Sequence, residues 1–129
     1  VSEPAIPAAA PMSNFICVSD RTRAKAFYSE ILGLRLKEDT PFALVYEHAG
    51  RLLRISEAPD FKPQAFTVCG WVVEDINAVA AALSAKGVVF NRYPWMEQDA
   101  LGLWQPPGSG AYVCWFNDPD GNVLSLNTP

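Results

Sequence analysis

The chain carries the same plan twice, and that duplication restricts the folds open to it more than any other feature. Asp20 opens a helical stretch that stops at Gly33, and Asp75 opens another that stops at Gly87. Each is followed by a strand-rich run that ends in a turn and one more strand: FALVYEHAGRLLRIS over 42–56, then AYVCWFNDPDGNVLSL over 111–126. A duplication on this scale gives two similar units packed side by side, with one cleft as their shared interior. The repeat places a site without naming what enters it.

A length of 129 residues, half of them hydrophobic, suits one compact domain with a proper core. No apolar run approaches the length of a membrane span, so no membrane partner is expected. The net charge of −4 argues against nucleic acid, which requires a basic face. Residues 13–58 hold seven Lys/Arg and six Asp/Glu, whereas residues 65–129 hold two and six. Cations therefore reach a shared cleft mainly from the first half. Cys17, Cys69 and Cys114 are widely spaced and form no CxxC pair, which argues against a zinc knuckle. Each lies in an apolar run, as small buried thiols do, and this usage fits a reducing, cytoplasmic compartment. The opening VSEPAIPAAAPM lacks the basic and long apolar regions of a signal peptide and reads as an extended Pro/Ala-rich arm over 1–12.

Residues 13–129 then read as a single domain, with module 1 over about 13–57, a linker over 58–64 and module 2 over about 65–127. Ser13 to Val18 predicts a strand, and Ser19 or Asp20 caps the helix after it. Ala24, Phe27, Tyr28 and Ile31 recur at helical spacing, and Gly33 suits a left-handed stop. Leu34 to Glu38 alternates as a half-buried strand does. Ala43 to Glu47 and Arg51 to Ser56 predict a hairpin over Ala49-Gly50. Phe66 to Val73 is nearly all apolar, which predicts a strand buried on both faces. Ile76, Val79, Ala80 and Leu83 form the second helical stripe, and Val88 to Arg92 predicts another strand. Residues 93–110 are irregular. Ala111 to Asn117 and Val123 to Asn127 close the unit as a hairpin over DPDG. The expected fold is α+β: two tandem βαβββ modules forming an open curved sheet around one cleft.

AFYSEILGLRL over 26–36 and FNDPDGNVLSL over 116–126 resemble signatures of the vicinal oxygen chelate superfamily, which includes glyoxalase I, bleomycin-resistance proteins and extradiol dioxygenases. The resemblance covers residues 13–127 and implies that the two modules curl into one cup. Enzymes of the family hold a divalent metal there. Carried onto this chain, the family's ligand positions fall on Ser13, Arg54, Val68 and Ser125. Valine offers no lone pair, and a guanidinium opposes a cation at short range, so this set does not suit a divalent ion. No metal or other cofactor is expected. His48, the single histidine, sits beside a hairpin turn, away from that set.

Strand alternation gives the rest of the lining. Phe15 and Cys17 share a face with Ser13, Leu52 and Ser56 with Arg54, Gly70 and Val72 with Val68, and Val123 and Asn127 with Ser125. A mostly apolar pocket with hydroxyls and one guanidinium suits a small organic ligand bearing an anionic or carbonyl group. The plainer reading of Arg54 is an ion pair with Glu47 or Glu57. Trp95 and Trp104 lie in the irregular segment and would either stack on a planar ligand or fill the core or a dimer contact. Glu97, Gln98 and Asp99 read as a solvated loop, Tyr46 as a core residue, and the DPDG aspartates as turn formers without chemistry. No serine has a histidine nearby in sequence, and no thiol has an evident base. The expectation is a metal-free ligand-binding protein like the bleomycin-resistance branch, whose resemblance implies a homodimer. The alternative is a glyoxalase- or lyase-type enzyme whose metal is held by other residues, such as His48 with Glu47 or Glu57.

Overall fold

A computed structural model describes residues 5–129; Val1 to Pro4 of the arm lie outside the described residues. β1 (Asn14–Val18) leads into α1 (Arg21–Ala26), whose start is capped by Asp20 through a 3.0 Å bond from the Arg23 amide. Such a cap contributes about 1 kcal/mol. Asp20, not Ser19, takes this role. The helix then widens into a π-helical turn over Phe27–Ile31, closed by the Leu32 amide donating to the Phe27 carbonyl. The widened turn buries the consecutive residues Phe27 and Tyr28.

β2 (Arg35–Asp39), β3 (Leu44–His48) and β4 (Arg51–Glu57) complete the first module. Its sheet has the order β1-β4-β3-β2, with β1 parallel to β4. The β3–β4 hairpin turns at Ala49 and Gly50, which both take positive φ, at 50° and 77°. That is the backbone a two-residue hairpin of this hand requires. The second module repeats the route with β5 (Thr67–Val72), α2 (Ile76–Ala85), β6 (Val113–Asn117) and β7 (Val123–Asn127). Asp75 caps α2 as Asp20 caps α1, and β5 runs parallel to β7 in a sheet of order β5-β7-β6.

Two expectations fail here. The strand predicted over Val88 to Arg92 is reduced to an isolated bridge between Phe90 and Phe116, so the second sheet has three strands. The far edge of β6 is instead shared with the irregular segment, through a Trp104–Val113 bridge. Nor is β5 buried on both faces. Val68 and Val72 are exposed, as is Phe66 just before the strand, and only Cys69 and Trp71 lean on the core.

One hydrophobic core spans both modules. Ile16 and Val18 of β1, Leu53 and Ile55 of β4, and Leu44 and Tyr46 of β3 meet Ile76, Ala80 and Leu83 of α2 and Phe116, Leu124 and Leu126 of the last hairpin. Truncating one of the leucine, isoleucine or aromatic members to alanine would cost about 3 kcal/mol. β1 and β5 are neighbours across the module boundary. The start of β1 faces the end of β5 over a crevice, and the end of β1 is bonded through Cys17 to Asn122, beside the start of β7. The two strands thus run in opposite directions. No helix among the described residues is long and apolar enough to cross a membrane.

Candidate ligand-binding face

Because alternate residues of the strands supply the core, the intervening ones define the opposite face. In the first module these are Phe15 and Cys17 of β1 and Leu52, Arg54 and Ser56 of β4. In the second they are Val68, Gly70 and Val72 of β5, Ser125 and Asn127 of β7, and Val113, Trp115 and Asn117 of β6. Their burial alternates accordingly with that of the core set.

Arg54 is the cation of this face. Its Nη1 donates to Ser13 Oγ at 2.9 Å, and its guanidinium lies 5.8 Å from the centre of the Phe15 ring. Phe15 and Val45 flank it in the ladder. The ion pair considered for it with Glu47 or Glu57 does not form. Glu47 pairs with Arg35 and Lys37, and Glu57 accepts the Arg21 amide. Arg54 makes no ion pair with any carboxylate among the described residues.

Across the second sheet, Gly70, Ser125 and Trp115 stand in one register row. A Cβ built on Gly70 would fall 2.2 Å from Ser125 Oγ, so the bare glycine makes room for that hydroxyl. Val68 lies where the β5 register shifts, between Thr67 and Cys69, and is not paired in the ladder. Ser13 and Arg54 are thus brought into contact, while Ser125 belongs to a separate row with Gly70 and Trp115.

Trp115 was not among the residues singled out from the sequence, yet it organises the aromatic wall. Trp104 lies beside it with ring centroids 6.1 Å apart and planes 34° apart, and Tyr93 meets it edge-on at 5.7 Å. Tyr93 in turn neighbours Trp95 at 5.7 Å. Trp95 is 74% exposed, and neither it nor Trp104 belongs to the core. The loop that carries them is pinned by Gln98, which donates to the Asn91 and Gly102 carbonyls and accepts the Tyr93 amide, each at 2.9 Å. Asp99 likewise accepts the Leu101 and Leu103 amides. Gln98 and Asp99 are therefore loop fasteners, and only Glu97 of that run is left without such a bond among the described residues.

Ser13, Arg54, Val68 and Ser125 do not fit a divalent ion: the set holds two neutral hydroxyls, a valine and a guanidinium that already engages one of the hydroxyls. Elsewhere among the described residues, no three His, Cys, Asp or Glu side chains gather as a metal cluster. The thiols are poor nucleophiles. Burial raises the pKa of Cys69 and Cys17, the latter helped by the Asp120 charge, and holds Cys114 at about 11. Tyr46 is fully buried, its hydroxyl 2.7 Å from Ser29 Oγ.

The DPDG turn does more than reverse the chain. Asp118 is buried, accepts the Asp120 and Asn122 amides at 2.9 Å, and takes the Tyr28 hydroxyl at 2.8 Å. Asn122 Nδ2 bonds both Asp118 and the Cys17 carbonyl, while Asp120 accepts from the Ser19 amide, the Ser19 hydroxyl and Arg23. These side chains lock the last hairpin onto β1 and α1.

Comparison with known proteins agrees with this architecture. TnmS3, an antibiotic binding protein from Streptomyces sp. CB03234, is 27% identical with a TM-score of 0.65, over 94% of this chain and 98% of its own. Lactoylglutathione lyase from Agrobacterium tumefaciens is 16% identical with a TM-score of 0.72, over 95% and 96% of the two chains. The fosfomycin resistance protein FosX from Listeria monocytogenes is 14% identical with a TM-score of 0.69, over 94% and 93%. No curated protein sequence matches the chain. The profile of the Glyoxalase/Bleomycin resistance protein/Dioxygenase superfamily matches residues 10–126, and the chain belongs to that family.

Proposed function

We propose that the protein binds a small, planar organic ligand carrying an anionic or carbonyl group, without a catalytic metal, on the face that holds Arg54 and the aromatic wall. The observation that carries this reading is a guanidinium fixed by Ser13 and Phe15, with no carboxylate pairing it among the described residues. A planar fork of donors oriented in this way suits a carboxylate, phosphate or carbonyl oxygen. Trp104 and Trp115, in ring contact, with exposed Trp95 behind Tyr93, offer stacking surface for an aromatic body. Phe15, Ser56, Val68 and Ser125 would complete the walls. The antibiotic-binding TnmS3 lends support as the relative named for binding.

On this reading the protein sequesters its ligand, as a cytoplasmic homodimer. Of the side chains considered for a glyoxalase-type metal site, Glu47 and Glu57 bond elsewhere, while His48 is exposed at the hairpin. The test is titration calorimetry with anthraquinone-2-carboxylate, followed by tryptophan quenching. Arg54→Ala should weaken binding at least tenfold, equivalent to about 1.4 kcal/mol, and Trp115→Ala should remove the quenching. Unchanged affinity in both variants would sink the proposal.

A further inference from the structure

A crevice lies where the β3–β4 hairpin meets the end of β5. Two adjoining cavities occur there, of about 320 Å³ and about 160 Å³, and both are lined by Leu34, His48, Trp71 and Val72. The smaller one reaches inward to Val79 and Leu83 of α2. The larger one opens beside Arg51. His48 and Arg51 are direct cross-strand partners on either side of the two-residue turn, so their side chains leave the hairpin together. Neither makes an ion pair among the described residues.

We propose that this crevice is a second binding site, for an amphipathic carboxylate with a straight apolar tail of medium length. The tail would lie along Leu34 and Trp71 toward Val79 and Leu83. The carboxylate would meet the Arg51 guanidinium at the mouth, with the His48 ring as a further donor. Charge complementarity sets the class. An apolar channel that reaches α2 at its inner end and carries the Arg51 guanidinium at its outer end selects a molecule that is apolar along its length and anionic at one tip. The site borders the Arg54 face, sharing Leu52, Gly70 and Val72 with it, but differs in its cation and aromatic groups, since neither Arg54 nor the tryptophans of the wall line these cavities.

Decanoate and its uncharged counterpart decanol serve as probes, with methyl-resolved NMR on the full chain. Decanoate should shift the Val79 and Leu83 methyl signals saturably. Arg51→Ala, at an exposed position, should weaken it at least tenfold, as should the change to decanol. Arg54→Ala should leave it within twofold. The absence of a saturable shift at millimolar decanoate would overturn the proposal. So would equal binding of decanol, or equal binding by Arg51→Ala. Binding lost in Arg54→Ala, with shifts at the Val113 methyls beside Trp115, would move the molecule to the other face and likewise overturn it.

Discussion

Two turns of the duplicated plan meet the opposite module, and they do so in contrasting ways. The turn between β6 and β7 spans residues 118–122 and inserts Asp118, Asp120 and Asn122 against β1 and α1. The turn between β3 and β4 has only Ala49 and Gly50, and it leaves a crevice against β5 that continues to α2. The frame around them is alike in strand direction and helix capping. Three extra turn residues therefore separate a polar lock from an open channel. Within a duplicated fold, one copy of a contact can carry stability while the other is free to acquire a ligand.

The contrast can be broken most directly at Asp118. Asp118→Ala strands the Tyr28 hydroxyl and two turn amides, and should cost about 3 kcal/mol in urea unfolding. A loss below about 1 kcal/mol would mean that the lock is ornamental. Tyr28→Phe removes one bond of the same set and should cost about 1.5 kcal/mol. It also sharpens the picture through pH. Burial, then the Asp118 charge and hydrogen bond, raises the Tyr28 pKa in the fold. The neutral phenol is thus favoured when folded, so its contribution is complete below the ordinary tyrosine value of about 10 and is lost as pH rises past it. The stability gap between wild type and Tyr28→Phe should narrow above that pH, and a constant gap would contradict the assignment. Gly70→Ala, which pushes on Ser125, should cost about 1 kcal/mol and shift the Ser125 amide signal. At the open junction, His48→Ala should change stability by no more than about 0.5 kcal/mol. A larger loss there would show a hidden lock and erase the contrast.

The features written locally in the chain were legible. Asp20 and Asp75 announce their helices because a cap acts within three residues, and Ala49-Gly50 and DPDG announce turns for the same reason. Strand alternation likewise separates the core residues of β1, β4 and β7 from those opposite. The exposure of β5 was not legible, because an apolar residue has the same letter whether it faces a core or an open face. Val88 to Arg92 has a strand's composition, but pairing is decided by which segment claims the edge of β6, and the bridge at Trp104 claims part of it. Trp115 was within reach. A hairpin centred on the DPDG turn sets Trp115 opposite Ser125, so placing one on the face placed the other. The partners of Asp118 and Asp120 lie about a hundred residues away, and local pattern carries no trace of them.

The bond from Asn122 to the Cys17 carbonyl joins positions 105 residues apart. Closing so long a loop is slow compared with forming either hairpin. The first module therefore waits for β6 and β7 before its inner edge is secured. During synthesis it must persist with β1 held by β4 alone until the last hairpin has been made and can close over it.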